Sequence, residues 1–398
     1  MAADADDRPA LTAPRPAAVA PAEPRPAGRT TPTQPILGLA GLTFVLPLFF
    51  LLAFLLGSAE ASLVVLGPLA TFALPVIAMI AFWWQDWPGS HLRAGWVGLT
   101  DTLIAGVAGV GLTILGQLVV SRVDLRGIFV ADAGPGHVAT FPVTLALGAG
   151  TFTAILQLTL VCERCPLARL PRVPAGLAAL ALSWVVAVLA YLLVVNLDHV
   201  PAAVRAADGL RNPGGPLAAP VYGALLVTLG VWQVLLFVAL RGLPFSLIGR
   251  RWLRILAGNA GVAGATAATF PLVWRVAGWP PARISAVGGT VIAAALLVAM
   301  LFEGWPATRL RPYPGRTALV GLVALVAAAL YGVLWAYAGQ IDWVRATAED
   351  WISTAALNFI ALGVVMHVAV WQRWPVRSGA TPGHAPGSAT DAGARSRS

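Results

Sequence analysis

Two cysteines stand three apart in Cys162-Glu-Arg-Cys165-Pro166, the spacing of a dithiol redox couple or of half a zinc site. Asp101, in Gly98-Leu-Thr-Asp101-Thr-Leu-Ile, and His367 are ionisable groups set in apolar stretches. Such groups are costly in hydrocarbon and mark proton or substrate paths. The amides Asn259, Asn358, Gln117, Gln157 and Gln233 interrupt apolar stretches in the same way, and with Asp101 they are candidates to line a polar path. Asp198 and His199, adjacent in a polar segment, are the best of the remaining His/Asp groups.

Each reading competes with a simpler one. Asp101 also fits the N-cap of a helix over 102–121. His367 lies one turn before Trp371, where an imidazole reaching the headgroup level is harmless. The amides suit hydrogen bonds between helices. The cysteines pack as small hydrophobes. No second Cys pair or His-x-x-His completes a zinc site, so no metal centre is expected. There is no Gly-x-x-x-x-Gly-Lys-Ser/Thr motif, and no cofactor is assignable.

The elements holding these side chains are overwhelmingly apolar. Hydrophobic residues make up 58% of the 398 and charged residues 11%, against roughly 25% charged in an ordinary soluble domain. The apolar residues fall into ten runs: 36–57, 62–84, 95–121, 140–161, 174–195, 217–239, 252–274, 284–302, 316–338 and 351–371. Each approaches the roughly 20 residues that carry a helix across a bilayer. The fold expected is all-α, a polytopic membrane protein of about ten transmembrane helices over 36–376. Residues 1–35 and 377–398 are poor in large hydrophobes and read as disordered tails. No cleavable signal peptide is expected, because residues 1–35 lack an apolar core.

All 26 basic residues are Arg. With ten spans, nineteen of them fall on the side of the two tails and seven on the other. Positive residues stay inside, so a plasma or inner membrane location with both tails cytoplasmic is expected. The arginines form no stripe with interleaved aromatics, which argues against nucleic acid and for contact with lipid headgroups.

Every even-numbered run ends on one pattern: Trp84-Gln-Asp-Trp87-Pro88, Cys162-Glu-Arg-Cys165-Pro166, Leu240-Arg-Gly-Leu243-Pro244, Phe302-Glu-Gly-Trp305-Pro306 and Trp371-Gln-Arg-Trp374-Pro375. The prolines are 78, 78, 62 and 69 residues apart, one helix pair each. Four residues beyond the proline stands Leu92, Leu170, Ile248 or Leu310. Residues three apart share a helix face, Trp prefers the headgroup level and Pro ends the helical ladder. The pattern therefore reads as a membrane exit repeated in five tandem helix hairpins. In that register the cysteines occupy places filled elsewhere by Trp, Leu or Phe, which favours packing over redox chemistry.

Three functions fit this composition: a secondary or passive permease for a small molecule, a non-catalytic subunit docking on a membrane protein partner, and a lipid-modifying enzyme. The enzyme reading lacks a convergent set of acid, base and nucleophile. The Gly/Ala-rich spans three and seven suit close helix packing and the wall of a path equally well.

Overall fold

The computed structural model describes residues 33–376 apart from Asp86, Ala94 and Pro135, so both expected tails lie outside the described residues except Thr33, Gln34 and Pro35. Gln34 is tied down: its Nε2 donates to Leu301 O at 3.1 Å and its Oε1 accepts from Gly38 N at 3.1 Å.

The chain is an all-helical, integral membrane protein. Among the described residues nine helices are long and apolar enough to cross a bilayer. They are α1 (Ile36–Phe54), α2 (Ala59–Trp84), α3 (Trp96–Val120), α5 (Arg172–Val194), α6 (Ala219–Ala239), α7 (Arg251–Val276), α8 (Pro281–Leu301), α9 (Pro314–Ala338) and α10 (Ala348–Val370). The expected fourth span, α4 (Leu145–Val161), is a shorter apolar helix, 12 residues of α-helix continued by 5 of π-helix. Residues 140–144, expected to open it, are instead an extended residue and a turn over 141–144 leading into the helix. Span seven, diluted by small residues and Pro271, is one continuous helical body.

The five exits share their backbone as well as their sequence pattern. Each even helix closes in a π-helical turn, at Met79–Trp84, Gln157–Val161, Leu235–Ala239, Leu297–Leu301 and Met366–Val370. A residue at left-handed φ of 49–54° follows in every copy: Gln85, Glu163, Arg241, Glu303 and Gln372. The X-Pro bond is cis in all five. In the first four copies a 3-10 turn comes next (Gly89–His91, Leu167–Arg169, Phe245–Leu247, Ala307–Arg309), closed by the N–H of Leu92, Leu170, Ile248 or Leu310. Backbone bonds spanning five, six and three residues recur identically at Cys162–Cys165, Leu240–Leu243, Phe302–Trp305 and Trp371–Trp374. These bonds satisfy the carbonyls that a helix end leaves without partners.

The helices make two concentric layers. The even helices close a ring: α2 packs on α4, α4 on α6, α6 on α8, α8 on α10 and α10 back on α2. The odd helices stand outside it. α3 packs chiefly on α2, α5 on α4, α7 on α6 and α9 on α8, while α1 fills the remaining outer place beside α10. Thus each even helix pairs most extensively with the odd helix after it, not with the one before it as in the expected hairpins. The tandem unit is cut one helix out of phase with the chain, and α1 completes the last unit. Trp side chains lock neighbouring units, Trp83 Nε1 donating to Thr159 Oγ1 at 2.8 Å and Trp84 Nε1 to Val173 O at 3.1 Å.

Burial distinguishes most of the inner helices. In their most apolar stretches α2, α8 and α10 are 83, 61 and 72% buried and the odd helices 22–33%, while α6, at 33%, is as exposed as the outer layer. The outer face carries fully apolar side chains such as Val107, Leu193, Leu325 and Val333. A surface of that kind is stable only against lipid. At the end opposite the repeated exits, a two-residue parallel strand pair (Val195–Asn196 with Leu217–Ala218) ties the 197–216 loop shut.

Candidate functional site

The ring encloses a cavity of about 500 Å³ whose wall comes mainly from the five even helices. The repeat places its lining in register. Ten residues before the repeat proline stand Ala78, Leu156, Val234, Leu296 and Val365, and all five line the cavity. Fourteen before it stand Leu74, Phe152, Gly230, Ile292 and Ala361, again all lining. Six before it, nearest the exits, come Phe82, Leu160, Val238 and Met300. Steps of four residues keep to one face of a helix at 3.6 residues per turn, so the lumen is one helix face repeated five times.

The lumen is apolar along most of its length, with a few hydroxyls and one amide. Asn358 donates to Gly67 O at 2.9 Å and to Thr71 Oγ1 at 2.7 Å, joining α10 to α2. Both N–H groups are thereby used, and what Asn358 can still offer the lumen is its carbonyl oxygen. Ser285, Ser353, Thr153 and Thr354 complete the hydroxyl set. The ionisable lining groups, His199, Arg345 and Asp350, come from the loop after α5 and from the approach to and first turn of α10, at the end away from the exits. Burial lowers the His199 pKa below its usual value, and Arg205 reinforces this against the opposing pull of Asp198.

Of the residues singled out in the sequence, Asn358 and His199 line the lumen and the others do not. His367 is buried at 1% exposure, eight residues before Pro375. Two residues from the lumen-facing Val365, it is turned by about 200° at roughly 100° per residue. It faces α1, where its ring lies 4.9 Å from that of Phe44. Asp101 is also fully buried. It is not an N-cap, because α3 begins five residues earlier at Trp96, and its carboxylate packs against Gly89 of the first 3-10 turn. Neither Asp101 nor Asn259 is among the described residues that line the lumen.

The remaining amides act between elements. Gln233 Nε2 donates to Gln157 Oε1 at 2.6 Å, and Gln157 Nε2 donates to Asn259 Oδ1 at 2.8 Å, a ladder across α6, α4 and α7. Cys162 touches the foot of that ladder at Asn259, 3.6 Å from Nδ2. Burial pushes its thiol pKa up, the opposite of the lowering that activates a thiol. Cys162 and Cys165 are both free thiols, the second exposed. Gln117 pins the 122–139 loop, donating to Val138 O at 2.9 Å and accepting from Asp124 N at 2.6 Å. Asp198 accepts from Arg205 at 2.9 Å and Asn212 at 2.8 Å, closing the other long loop on itself.

Sequence reasoning missed the apolar and small lining residues, above all Gly230, Ala361, Leu74 and Thr71. The signal lies in the repeat register ten and fourteen residues before each proline, a different helix face from that of His367. Among the described residues no group of three or more His, Cys, Asp or Glu side chains is placed to hold a metal ion. No family model matches this chain, and no curated protein or solved structure is significantly similar to it.

Proposed function

We propose that this protein is a permease for an apolar or amphipathic small molecule that occupies the central lumen. The observation carrying this reading is the ring of five even helices kept open at its centre. A purely structural ring would fill its axis with side chains to the packing density of a protein interior. Here Gly223, Gly230, Ala149 and Ala361 stand at lining positions, and the space left has the size of a small-molecule site. The apolar wall selects an apolar body, and Asn358 and the hydroxyls serve one polar group on it. The chain carries no nucleotide-binding motif, so movement of the ligand is secondary or passive.

Gly230→Phe tests the reading at a lining glycine of α6. A Cβ there would meet only Ile292 Cδ1, at 3.3 Å, the flexible end of a side chain. The ring therefore tolerates the phenyl group by placing it in the lumen. Mass spectrometry of organic extracts from purified protein should find a small molecule enriched with the wild type and at least tenfold depleted with Gly230→Phe, at similar thermal stability. Flux of that molecule into proteoliposomes should fall in parallel. Equal loading of both proteins, or no enriched molecule in either, would sink the permease reading.

A further inference from the structure

The polar groups of the mid-lumen sit on one side of the ring. Seventeen residues before the repeat proline the wall has Ala149 on α4 and Val227 on α6, but Thr71 on α2 and Asn358 on α10. One turn nearer the loops, twenty-one before it, α10 adds Thr354 and α8 adds Ser285. In a ring of five the helix opposite the α10–α2 junction is α6. Its described lining residues are all glycine or apolar, Gly223, Gly230 and Val234 among them.

Gly67 of α2 fixes which atoms that polar side presents. Its carbonyl accepts from Asn358 Nδ2 at 2.9 Å and from Thr71 Oγ1 at 2.8 Å. A carbonyl can only accept, so the Asn358 amide must turn its nitrogen to α2, and its second N–H goes to Thr71 Oγ1 at 2.7 Å. The hydrogens of Asn358 and Thr71 are thereby committed within the protein. Asn358 Oδ1 is left as an acceptor without a donor among the described residues. Thr354 stands four residues before Asn358 on the same face, beside Gly67, where a Cβ would lie 3.9 Å from its Oγ1. Its hydroxyl makes no hydrogen bond among the described residues. Both residues are 6% exposed, and an acceptor and a donor placed against an apolar wall are costly until something bonds them.

We infer that the lumen takes a neutral alcohol, whose hydroxyl donates to Asn358 Oδ1 and accepts from the Thr354 hydroxyl while its hydrocarbon body lies against α6. This assignment rests on the reading of the lumen as a ligand site and names the ligand's class. A hydroxyl is donor and acceptor in one atom, which is what the pair requires. An ether or ketone accepts from Thr354 but sets its lone pairs against Asn358 Oδ1. A carboxylate does the same and also brings a charge into an apolar site, at a large burial cost.

The test uses the full chain, delipidated in a neutral detergent, and equilibrium dialysis with three radiolabelled probes. Dodecan-1-ol and its isomer 1-methoxyundecane differ only in having or lacking the donor, and dodecanoate supplies the charge. Dodecan-1-ol should bind once per chain, about tenfold or more tighter than the ether, because a site built around a hydroxyl rejects the analogue without one. Dodecanoate should bind more weakly than either, and Gly230→Phe should lose all three. Asn358→Leu removes the acceptor and should bring the alcohol-to-ether ratio close to one while the ether still binds. Asn358 also bridges α10 to α2, so Thr354→Val, which keeps that bridge, gives a second reading and should narrow the ratio by several-fold. Equal affinity of the two isomers, with both lost in Gly230→Phe, overturns the alcohol assignment and leaves the lumen a ligand site. An unchanged ratio in both Asn358→Leu and Thr354→Val overturns it too. Failure of every probe to bind the wild type, or binding that survives Gly230→Phe, removes the lumen reading itself and the alcohol with it.

Discussion

Asp124 shows what a single carboxylate contributes outside the membrane. It accepts from Gly127 N at 3.1 Å and Val138 N at 2.9 Å, and it lies 3.0 Å from His137 Nδ1. Burial alone would raise its pKa, but the two N–H groups and His137 outweigh that and hold it below 3.8. A carboxylate depressed in the folded state stabilises above its unfolded pKa, and that stability disappears as pH falls through the folded value. Hydrogen-exchange protection across 125–139, taken relative to the intrinsic rate at each pH, should therefore hold from neutral pH to about 4 and fall only below that. Asp124→Asn keeps the shape without the charge and should cost the loop about 1–2 kcal/mol at pH 7, as lost charge-assisted bonds do. Unchanged exchange in that variant would show that Gln117 alone orders the segment. At this scale the sequence was readable where a residue's partner is close along the chain. Asn358 and Asp101 stand out as unusual, but the side of its helix that Asn358 faces is set by Gly67 and Thr71, nearly three hundred residues away.

At the scale of elements, the small-residue stretch of α3 separates two uses of glycine that look alike in sequence. A Cβ on Gly109 would lie 2.8 Å from Ala73 Cβ and 3.1 Å from its Cα, because α2 and α3 approach closely there. Cβ atoms on Gly106 and Gly111 would meet nothing within 4 Å. Gly109→Leu should thus destabilise the protein by roughly 1–3 kcal/mol, as overpacking does. Gly106→Leu should be tolerated and even gain helix propensity. Thermal unfolding in one detergent compares the two, and equal losses would mean that the α2–α3 contact is looser than the structure shows. The five exits were legible because Trp, Pro and their spacing act locally. The pairing of each even helix with the next odd one was not, since the connections on both sides allow antiparallel neighbours and only the closed ring selects between them.

For the whole molecule, the ten long helix bodies among the described residues put all five exits on one face and the long loops on the other. Leu247, in an exit, is 78% exposed and Val344, in the loop before α10, is 83% exposed. Both make good reporters in a background with Cys162 and Cys165 replaced by Ser. If the arginine-rich face is cytoplasmic, Leu247→Cys should be labelled by an impermeant maleimide only after the membrane is opened. Val344→Cys should be labelled in intact cells. The reverse pattern would invert the proposed orientation, and labelling of both from one side would break the helix count.

Composition and local pattern by themselves determined that the chain lives in lipid, where its helices begin and end to within a few residues, and that five copies of one exit recur. Those properties depend on how much apolar surface each segment carries and on side chains a few positions apart. Only the tertiary structure decided that the even helices close into a ring, that α1 completes the last unit, and that one face of each even helix borders a lumen. The physical reason is that lipid and lumen are both apolar. An inner helix with apolar neighbours on one side and an apolar cavity on the other shows no polar stripe, and an outer helix against lipid shows none either, so nothing in the hydrophobic pattern says which face is which.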